Sequence, residues 1–295
     1  MTKYELLEIE GKTIQISNPE KVLWPISGYT KRDLVNYYLK IAPYILPYIK
    51  DRPLTLNRFP EGINSAGFYQ KDTNRLFPNW IKRYKHKGVE YLICNEAASL
   101  VYLAQLTCVE INPWLSVIET KENPDYVVVD LDPIEIEFNN VIETAICVHE
   151  MLNKVKIYNF CKTTGKRGLH IYIPIEPIYT YFQTKTFAEI IAYKTNQILP
   201  KTTSIIRDPL KRIGRVYVDF LQNGQSKTVV APYSLRPVEG APVATPLLWS
   251  EVKPGLDPSA FNIATINKRL KQKKDPFMEM LFKKNKLDVS KIKFL

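Results

Sequence analysis

Cysteine is scarce and unpatterned in this 295-residue chain: Cys94, Cys108, Cys147 and Cys161 make no C-x-x-C pair. Such spacing fits reduced, mostly buried thiols in a cytosolic protein. With only His86, His149 and His170 to help, it argues against a zinc site. No segment is long and apolar enough to span a bilayer. Met1-Thr2-Lys3-Tyr4-Glu5 lacks the apolar core of a signal peptide. Internal repeats, low-complexity runs and long linkers are missing, as is the G-x-x-x-x-G-K-S/T phosphate loop. Acids are in deficit, 30 against 41 basic residues, for a net charge of +11 and a pI near 9.3. That excess points to a polyanionic partner: nucleic acid, an anionic membrane or phosphorylated substrates. A basic surface with no special partner is the plain alternative.

What is present is enough apolar content, 45%, for a full core in one large domain or two closely joined ones. Residues 4–16 read as a hairpin around Glu10-Gly11-Lys12, and Thr30 as the N-cap of a helix from Lys31 to about Ile49. Leu34, Tyr37, Tyr38 and Ile41 recur at helical spacing on it and read as packing residues. Extended runs follow at Leu54–Phe59, Gly67–Lys71 and Val89–Ile93, then a helix capped by Asn95 and running through Glu110. The second half alternates: strand Val127–Asp130, helix Asn139–Asn153, strands Ile157–Thr163 and Leu169–Ile175, helix 184–199, strand Val216–Leu221. A shorter strand, Thr228–Ala231, pairs back across Asn223-Gly224, and the lysine-rich tail from Ile266 to Leu295 reads as helical with a break at Pro276. This is an α/β pattern without strict βαβ repetition.

Four stretches carry chemistry. Tyr126-Val127-Val128-Val129-Asp130-Leu131-Asp132-Pro133 puts two carboxylates on one side of a buried strand that Pro133 would end. They repel unless a hard divalent cation lies between them. On the pattern alone a metal site and a solvated strand-end turn are equal readings. Lys162-Thr163-Thr164-Gly165-Lys166-Arg167-Gly168-Leu169-His170 sets two glycines around two cations between strands, an anion-holding turn or an ordinary glycine hairpin. Asp219 closes the strand Val216–Leu221, facing Tyr217 and Leu221, either in an ion pair or as a third metal ligand. With Asp130 and Asp132 it would supply two metals about 4 Å apart. Arg236, held between prolines in Ala231-Pro232-Tyr233-Ser234-Leu235-Arg236-Pro237, suits a phosphate or caps a loop.

In their order these stretches resemble the polymerase domain of bacterial end-joining ligase D, a branch of the archaeo-eukaryotic primase superfamily. Asn18-Pro19-Glu20-Lys21-Val22-Leu23-Trp24-Pro25, Arg52-Pro53-Leu54-Thr55, Gly67-Phe68-Tyr69-Gln70-Lys71 and Ala241–Trp249 add to the match, which covers about residues 10 to 260. The resemblance implies an α/β (α+β) primase-like core of mostly antiparallel or mixed sheets flanked by helices. It forms a single catalytic domain over 1–295: a DNA-end-binding part about 1–90, a metal and nucleotide core about 91–260, and a basic helical tail about 261–295. It implies that Asp130, Asp132 and Asp219 hold two Mn²⁺ (or Mg²⁺) ions, with Asp219 and Asp130 on the attacking side and Asp132 bridging. Arg52, Asn112, Thr164, Lys166, Arg167, His170, Gln222 and Arg236 line the NTP or dNTP. Asn18, Lys21 and Lys31 grip a DNA 5′-phosphate, Phe68 or Tyr69 stacks on a template base, and Lys71 lies beside it.

The implied activity is template-directed nucleotidyl transfer at DNA ends and gaps, with ribonucleotides preferred. The implied partners are a Ku-like end-binding protein and an ATP-dependent DNA ligase, and the implied place is the cytoplasm, at nucleoid breaks. Asn112 stands where the family commonly has histidine, which removes a chargeable group from that contact. Thr164 and Arg167 replace serine and lysine with the hydroxyl and charge kept. No ligase lysine motif or phosphoesterase domain is present, so a stand-alone version or an excised domain is expected. Two other classes share part of this pattern. A DxD phosphatase of the haloacid-dehalogenase type wants Thr or Val where Pro133 stands. The other is an end-binding accessory subunit with weak catalysis, against which all three carboxylates argue.

Overall fold

The computed structural model describes residues 4–73 and 77–288. The hairpin forms as its alternation predicts, from β1 (Tyr4–Ile9) and β2 (Lys12–Ser17), paired antiparallel. β3 (Val22–Trp24) and β4 (Tyr29–Thr30) lead into α1 (Lys31–Ile49). Thr30 accepts from the Asp33 backbone N–H, and the Asp33 carboxylate accepts from Thr30, a reciprocal cap that fixes the start of the helix. Leu34, Tyr37, Tyr38 and Ile41 are all buried along one face.

β5 (Pro53–Arg58) is the centre of a five-stranded sheet with β6 (Phe68–Gln70), β7 (Arg83–His86), β8 (Val89–Ile93) and, after α2 (Ala97–Gln105), β9 (Cys108–Pro113). The helix expected from Asn95 through Glu110 is therefore too long. Glu96 occupies the cap position, and Thr107 turns left-handed at φ 59° with its N–H on the Ala104 carbonyl. That turn ends the helix without a glycine, and Glu110 lies in a strand.

The chain divides into two compact units. The first holds residues 1–114, 228–244 and 259–272, and the second 115–227, 245–258 and 273–295. The second is built on a six-stranded sheet. Its elements are β10 (Tyr126–Ile134), α3 (Phe138–Lys154), β11 (Phe160–Thr163), β12 (Leu169–Pro174), α4 (Tyr181–Ile198), β13 (Thr203–Ser204), β14 (Arg215–Asp219) and β15 (Pro246–Leu247). Strand order is β13-β14-β10-β12-β11-β15, with β13 parallel to β14 and every other pair antiparallel. This is the mixed, mostly antiparallel α/β architecture expected. Helices α3 and α4 pack on β10 and its neighbours. Val127, Val129 and Leu131 are fully buried on one face of the sheet, leaving Asp130 and Asp132 on the other.

Two expectations fail here. Pro133 does not end its strand, which continues to Ile134. The β12 ladder stops at Leu131, so Pro133 lies in a stretch paired with β14 alone and its missing N–H removes no bond on the other side. Thr228–Ala231 is not a strand paired back on Val216–Leu221; Thr228 makes a single bridge to Trp114. In the tail, α5 (Ile266–Lys273) is followed by a 3₁₀ turn at Met278–Leu281, and residues 289–295 of the expected helix lie outside the described part. Among the described residues no helix is long and apolar enough to cross a membrane, and all four cysteines are unpaired thiols.

Candidate active site

Residues directly opposite in an antiparallel ladder point to the same face. Asp130 pairs with Asp219 on β14 and with His170 on β12, and His170 pairs with Lys162 on β11. Four polar side chains thus form one row across four strands: Asp219, Asp130, His170, Lys162. Asp132 stands two residues further along β10, opposite Tyr217.

The row is tied together. His170 Nε2 lies 3.3 Å from Asp130 Oδ1, with the imidazole nearly enclosed. Asp219 Oδ1 accepts the Leu221 N–H at 2.7 Å, and its Oδ2 accepts from Gln222 Nε2 at 3.1 Å. Gln222 therefore orients a carboxylate. Asp219 and Asp132 are both held above the usual carboxylate range, mainly by burial and then, among like charges, by Asp130. Arg212 and Arg167 act on Asp132 in the opposite sense. Among the described residues no three His, Cys, Asp or Glu side chains are gathered closely enough to hold an ion unaided. Still, the donors are hard oxygens whose mutual repulsion a divalent cation would relieve. Such an ion readily takes its remaining ligands from water and phosphate. The acid set fits Mg²⁺ or Mn²⁺ on those terms.

The basic turn adjoins β10 between the two aspartates. A Cβ on Gly168 would fall 2.4 Å from the Leu131 carbonyl oxygen, the residue between the two aspartates on β10. Gly165 turns at φ 71°. Thr164 Oγ1 accepts from the Lys166 and Gly168 N–H groups, both at 3.2 Å, so its own proton stays available to donate. Lys166 and Arg167 are exposed at the tip. Gly168→Ala is expected to displace this turn from β10, because the obstacle is backbone. Nucleotide binding should fall at least about tenfold, with the loss seen in KM more than in the melting temperature. Native-like KM in that variant would mean that the turn does not hold the nucleotide.

In the first unit the remaining candidates fall into two groups. Tyr69, Asn57 and Glu110 share a row across β6, β5 and β9. Arg236 Nε joins it, 3.3 Å from Glu110 Oε2, and Asn112 stands beside it opposite Thr55, donating to the Thr55 carbonyl at 3.4 Å. Arg52 is buried and donates to the Trp114 carbonyl at 3.4 Å. Phe68 points to the other face of β6, under the Arg58 guanidinium at 5.2 Å. Phe68 and Tyr69 therefore serve different surfaces. Lys71 is exposed just beyond them. Lys31 donates to Ser17 O, Ser17 Oγ and Gln105 Oε1, and Lys21 meets Glu61; the Lys21 N–H is held by the Asn18 carbonyl. Burial, then Lys21, then Arg58 lower the Lys31 pKa to about 8.

Lys162, Arg212, Asn223 and Arg58 were not singled out from sequence. Lys162 is fully buried, its Nζ 3.3 Å from the Thr163 carbonyl and 5.9 Å from the Tyr172 ring. Arg212 lies 3.7 Å over the Tyr217 ring. Asn223 accepts from Val128 N at 2.8 Å and donates to Val128 O at 2.7 Å and Phe220 O at 2.9 Å. Only strand pairing reveals the partners of Lys162 and Asn223.

A mixed sheet bearing three acids and a histidine on one face, beside a glycine-bounded basic turn, is the arrangement of a phosphoryl- or nucleotidyl-transfer protein. The model of the family "LigD, primase-polymerase domain" matches residues 30–277, and the chain belongs to that family of polymerase domains. It is 30% identical over 268 residues to the bifunctional non-homologous end joining protein LigD of Bacillus subtilis (strain 168), covering 90% of this chain and 44% of that one. Against the multifunctional non-homologous end joining protein LigD of Mycolicibacterium smegmatis it is 31% identical over 246 residues, with 81% and 32% covered. The chain thus spans less than half the length of these relatives. The polymerase domain of Mycobacterium tuberculosis ligase D, solved in complex with DNA, superposes with a TM-score of 0.85 at 28% identity, covering 92% of this chain and 99% of that one.

Proposed function

We propose that the chain carries out template-directed nucleotidyl transfer at DNA ends and gaps, the filling step of non-homologous end joining. The observation that carries the reading is the row Asp219–Asp130–His170 with Asp132 beside it, next to the Gly165–Gly168 turn, in a chain of this family. Thr164, Lys166 and Arg167 hold the triphosphate from the turn. Gln222 keeps Asp219 aimed, and His170 keeps Asp130 aimed. Asp130, Asp132 and Asp219 would hold two divalent ions, Mn²⁺ preferred, whose chemistry when bound is to acidify the primer 3′-hydroxyl and neutralise the triphosphate. Lys21, Lys31 and Asn18 take the 5′-phosphate of a recessed end, and Phe68 or Tyr69 stacks on a template base beside Lys71. Ribonucleotides are the preferred substrates. The reading gives the protein a Ku-like end-binding partner and an ATP-dependent ligase, and a place in the cytoplasm at nucleoid breaks.

The test is primer extension with Mn²⁺ on a gapped duplex, its downstream end phosphorylated or not, with ribo- or deoxynucleotides. Extension should need the divalent ion, favour ribonucleotides and favour the phosphorylated gap; no extension under any of these conditions would sink the reading. The preference for phosphate should weaken as pH rises from 7 to 9. Lys31, its pKa lowered to about 8, is charged below that value and loses its proton above it. Bound phosphate pulls the midpoint upward, so the decline should centre at or above pH 8. A preference flat across that range would remove Lys31 from the phosphate contact.

A further inference from the structure

Arg236 owes its place to its backbone rather than to a partner for its side chain. The Nε is buried and makes no hydrogen bond, and the Glu110 carboxylate 3.3 Å away balances its charge without being aligned to accept from it. The segment that carries it, Ser234-Leu235-Arg236, is paired along one edge. Leu235 bridges to Val243, with Arg236 N donating to Pro242 O and Ala244 N donating to Ser234 O, both at 2.9 Å. In that pattern the N–H and carbonyl of Leu235 itself point to the other edge. Two side-chain hydroxyls meet them there. Tyr38 Oη accepts from Leu235 N at 3.3 Å, and Ser234 Oγ donates to Leu235 O at 3.2 Å.

The same two hydroxyls are fastened to β9. Tyr38 Oη donates to Val109 O at 2.7 Å, and Ser234 Oγ accepts from Ile111 N at 2.9 Å. Val109 and Ile111 flank Glu110, the carboxylate beside the guanidinium. Each oxygen therefore ties the backbone next to Arg236 to the backbone next to Glu110. Tyr38 belongs to α1, and its neighbour Tyr37 donates to Tyr233 O at 2.7 Å, so the helix grips the chain on both sides of Ser234. Tyr38 and Ser234 are completely buried, and bulk water does not compete for either oxygen.

We propose that Tyr38 and Ser234 are positioning residues for Arg236, their hydroxyls fixing the segment that carries the guanidinium against β9. The inference rests on the reading of Arg236 as a contact to the anionic part of the nucleotide, and it adds α1 to the elements that hold that contact in place. Removing either hydroxyl leaves a backbone group of Leu235 without its partner inside the protein. The segment then shifts to satisfy that group, and the guanidinium moves with it. Glu110 does not hold it back, because no hydrogen bond joins the two side chains. A contact that depends on aim is sensitive to such a shift, since a displacement of about 1 Å costs up to about a hundredfold.

The experiment measures nucleotide KM and kcat in primer extension at saturating DNA, for the full chain and for Tyr38→Phe, Ser234→Ala, Arg236→Ala and each hydroxyl variant combined with Arg236→Ala. All are compared at a temperature where thermal melts show them folded. Tyr38→Phe keeps the ring and its packing and removes one oxygen; Ser234→Ala gives the same reading if Tyr38→Phe does not fold. Arg236→Ala should raise KM at least about tenfold, the loss of a charge-assisted hydrogen bond. Tyr38→Phe and Ser234→Ala should each raise KM about three- to tenfold and change kcat less, with DNA affinity unaltered. In the Arg236→Ala background neither should raise KM further, and that lack of additivity separates positioning from general loosening. If Arg236→Ala leaves KM native, the reading of Arg236 as a nucleotide contact fails. If Arg236→Ala raises KM, yet the hydroxyl variants leave it native or raise it by one factor with and without Arg236, the positioning role is overturned.

Discussion

Asp219→Asn is expected to abolish primer extension while raising the melting temperature of the ligand-free protein. The two effects have one cause. Asp219 is held above the usual carboxylate range chiefly by burial, with Asp130 opposing its ionisation across the β10–β14 ladder. A carboxyl whose folded pKa is raised makes the folded state bind more protons than the unfolded one. Its contribution to stability is then lost as pH climbs from the usual carboxylate pKa through the raised value, and neutral solution leaves the strain in place. Asparagine removes that strain and keeps the acceptor for the Leu221 N–H. It also removes a hard anionic ligand. Losing several kcal/mol of charge stabilisation corresponds to about 10²–10⁴-fold in rate. Extension assays paired with thermal melts in chelator at pH 4.5 and pH 7.5 check both arms. The gain in melting temperature should be larger at pH 7.5, and DNA binding should survive. A variant that still extends primers, or that melts lower at neutral pH, contradicts the reading of this acid.

Asn223→Ala is expected to be the most destabilising single change near the site. After Asp219 the chain leaves β10, so Val128 has no strand neighbour on that side. The Asn223 carboxamide takes the strand's place, accepting from Val128 N and donating to Val128 O, inside a fully buried position. Alanine leaves both backbone groups without these partners. Unsatisfied buried groups cost about 1–3 kcal/mol each, so the loss is about 2–5 kcal/mol. For a chain of this size that lowers the melting temperature by roughly 5–15 °C. Extension should fall as well, because Val128 is two residues from Asp130. Urea unfolding with extension at a temperature where the variant stays folded separates the two losses. A melting point within about 1 °C of the parent would show that water replaces the amide.

Much of this was legible in the sequence because it rests on strand and helix periods. The placing of Asp130 and Asp132 on one face follows from alternation alone; that His170 shares that face follows only from the β10–β12 register. The Thr30 cap marked the start of α1 to the residue. Where reading failed, the cause was a signal that side-chain types do not carry. Thr107 stops α2 in a left-handed conformation that glycine usually marks, so the apolar run into β9 read as more helix. Pro133 looked like a strand end because its tolerance depends on how far β12 extends beside it. The Asn223-Gly224 dipeptide looked like a hairpin turn, whereas Asn223 itself completes the ladder. Arg236 read equally as a phosphate ligand or a loop cap, and its companion Glu110 on β9 is visible only once Glu110 is known to lie in a strand.

The transverse row of Asp219, Asp130, His170 and Lys162 also decides which changes in chain length the protein tolerates. Its members lie far apart along the chain, and no loop measures the distance between them; the strand spacing of about 4.8 Å does. Lengthening the β10–β11 and β12–β14 connections leaves the row intact. Inserting one residue just before Leu169, with the preceding turn held in place, turns the His170 imidazole to the helix-covered face and brings Leu169 toward the acids. Deletions and insertions should therefore divide sharply: harmless by the handful in the connections other than the 164–168 turn, and inactivating singly in four short strands.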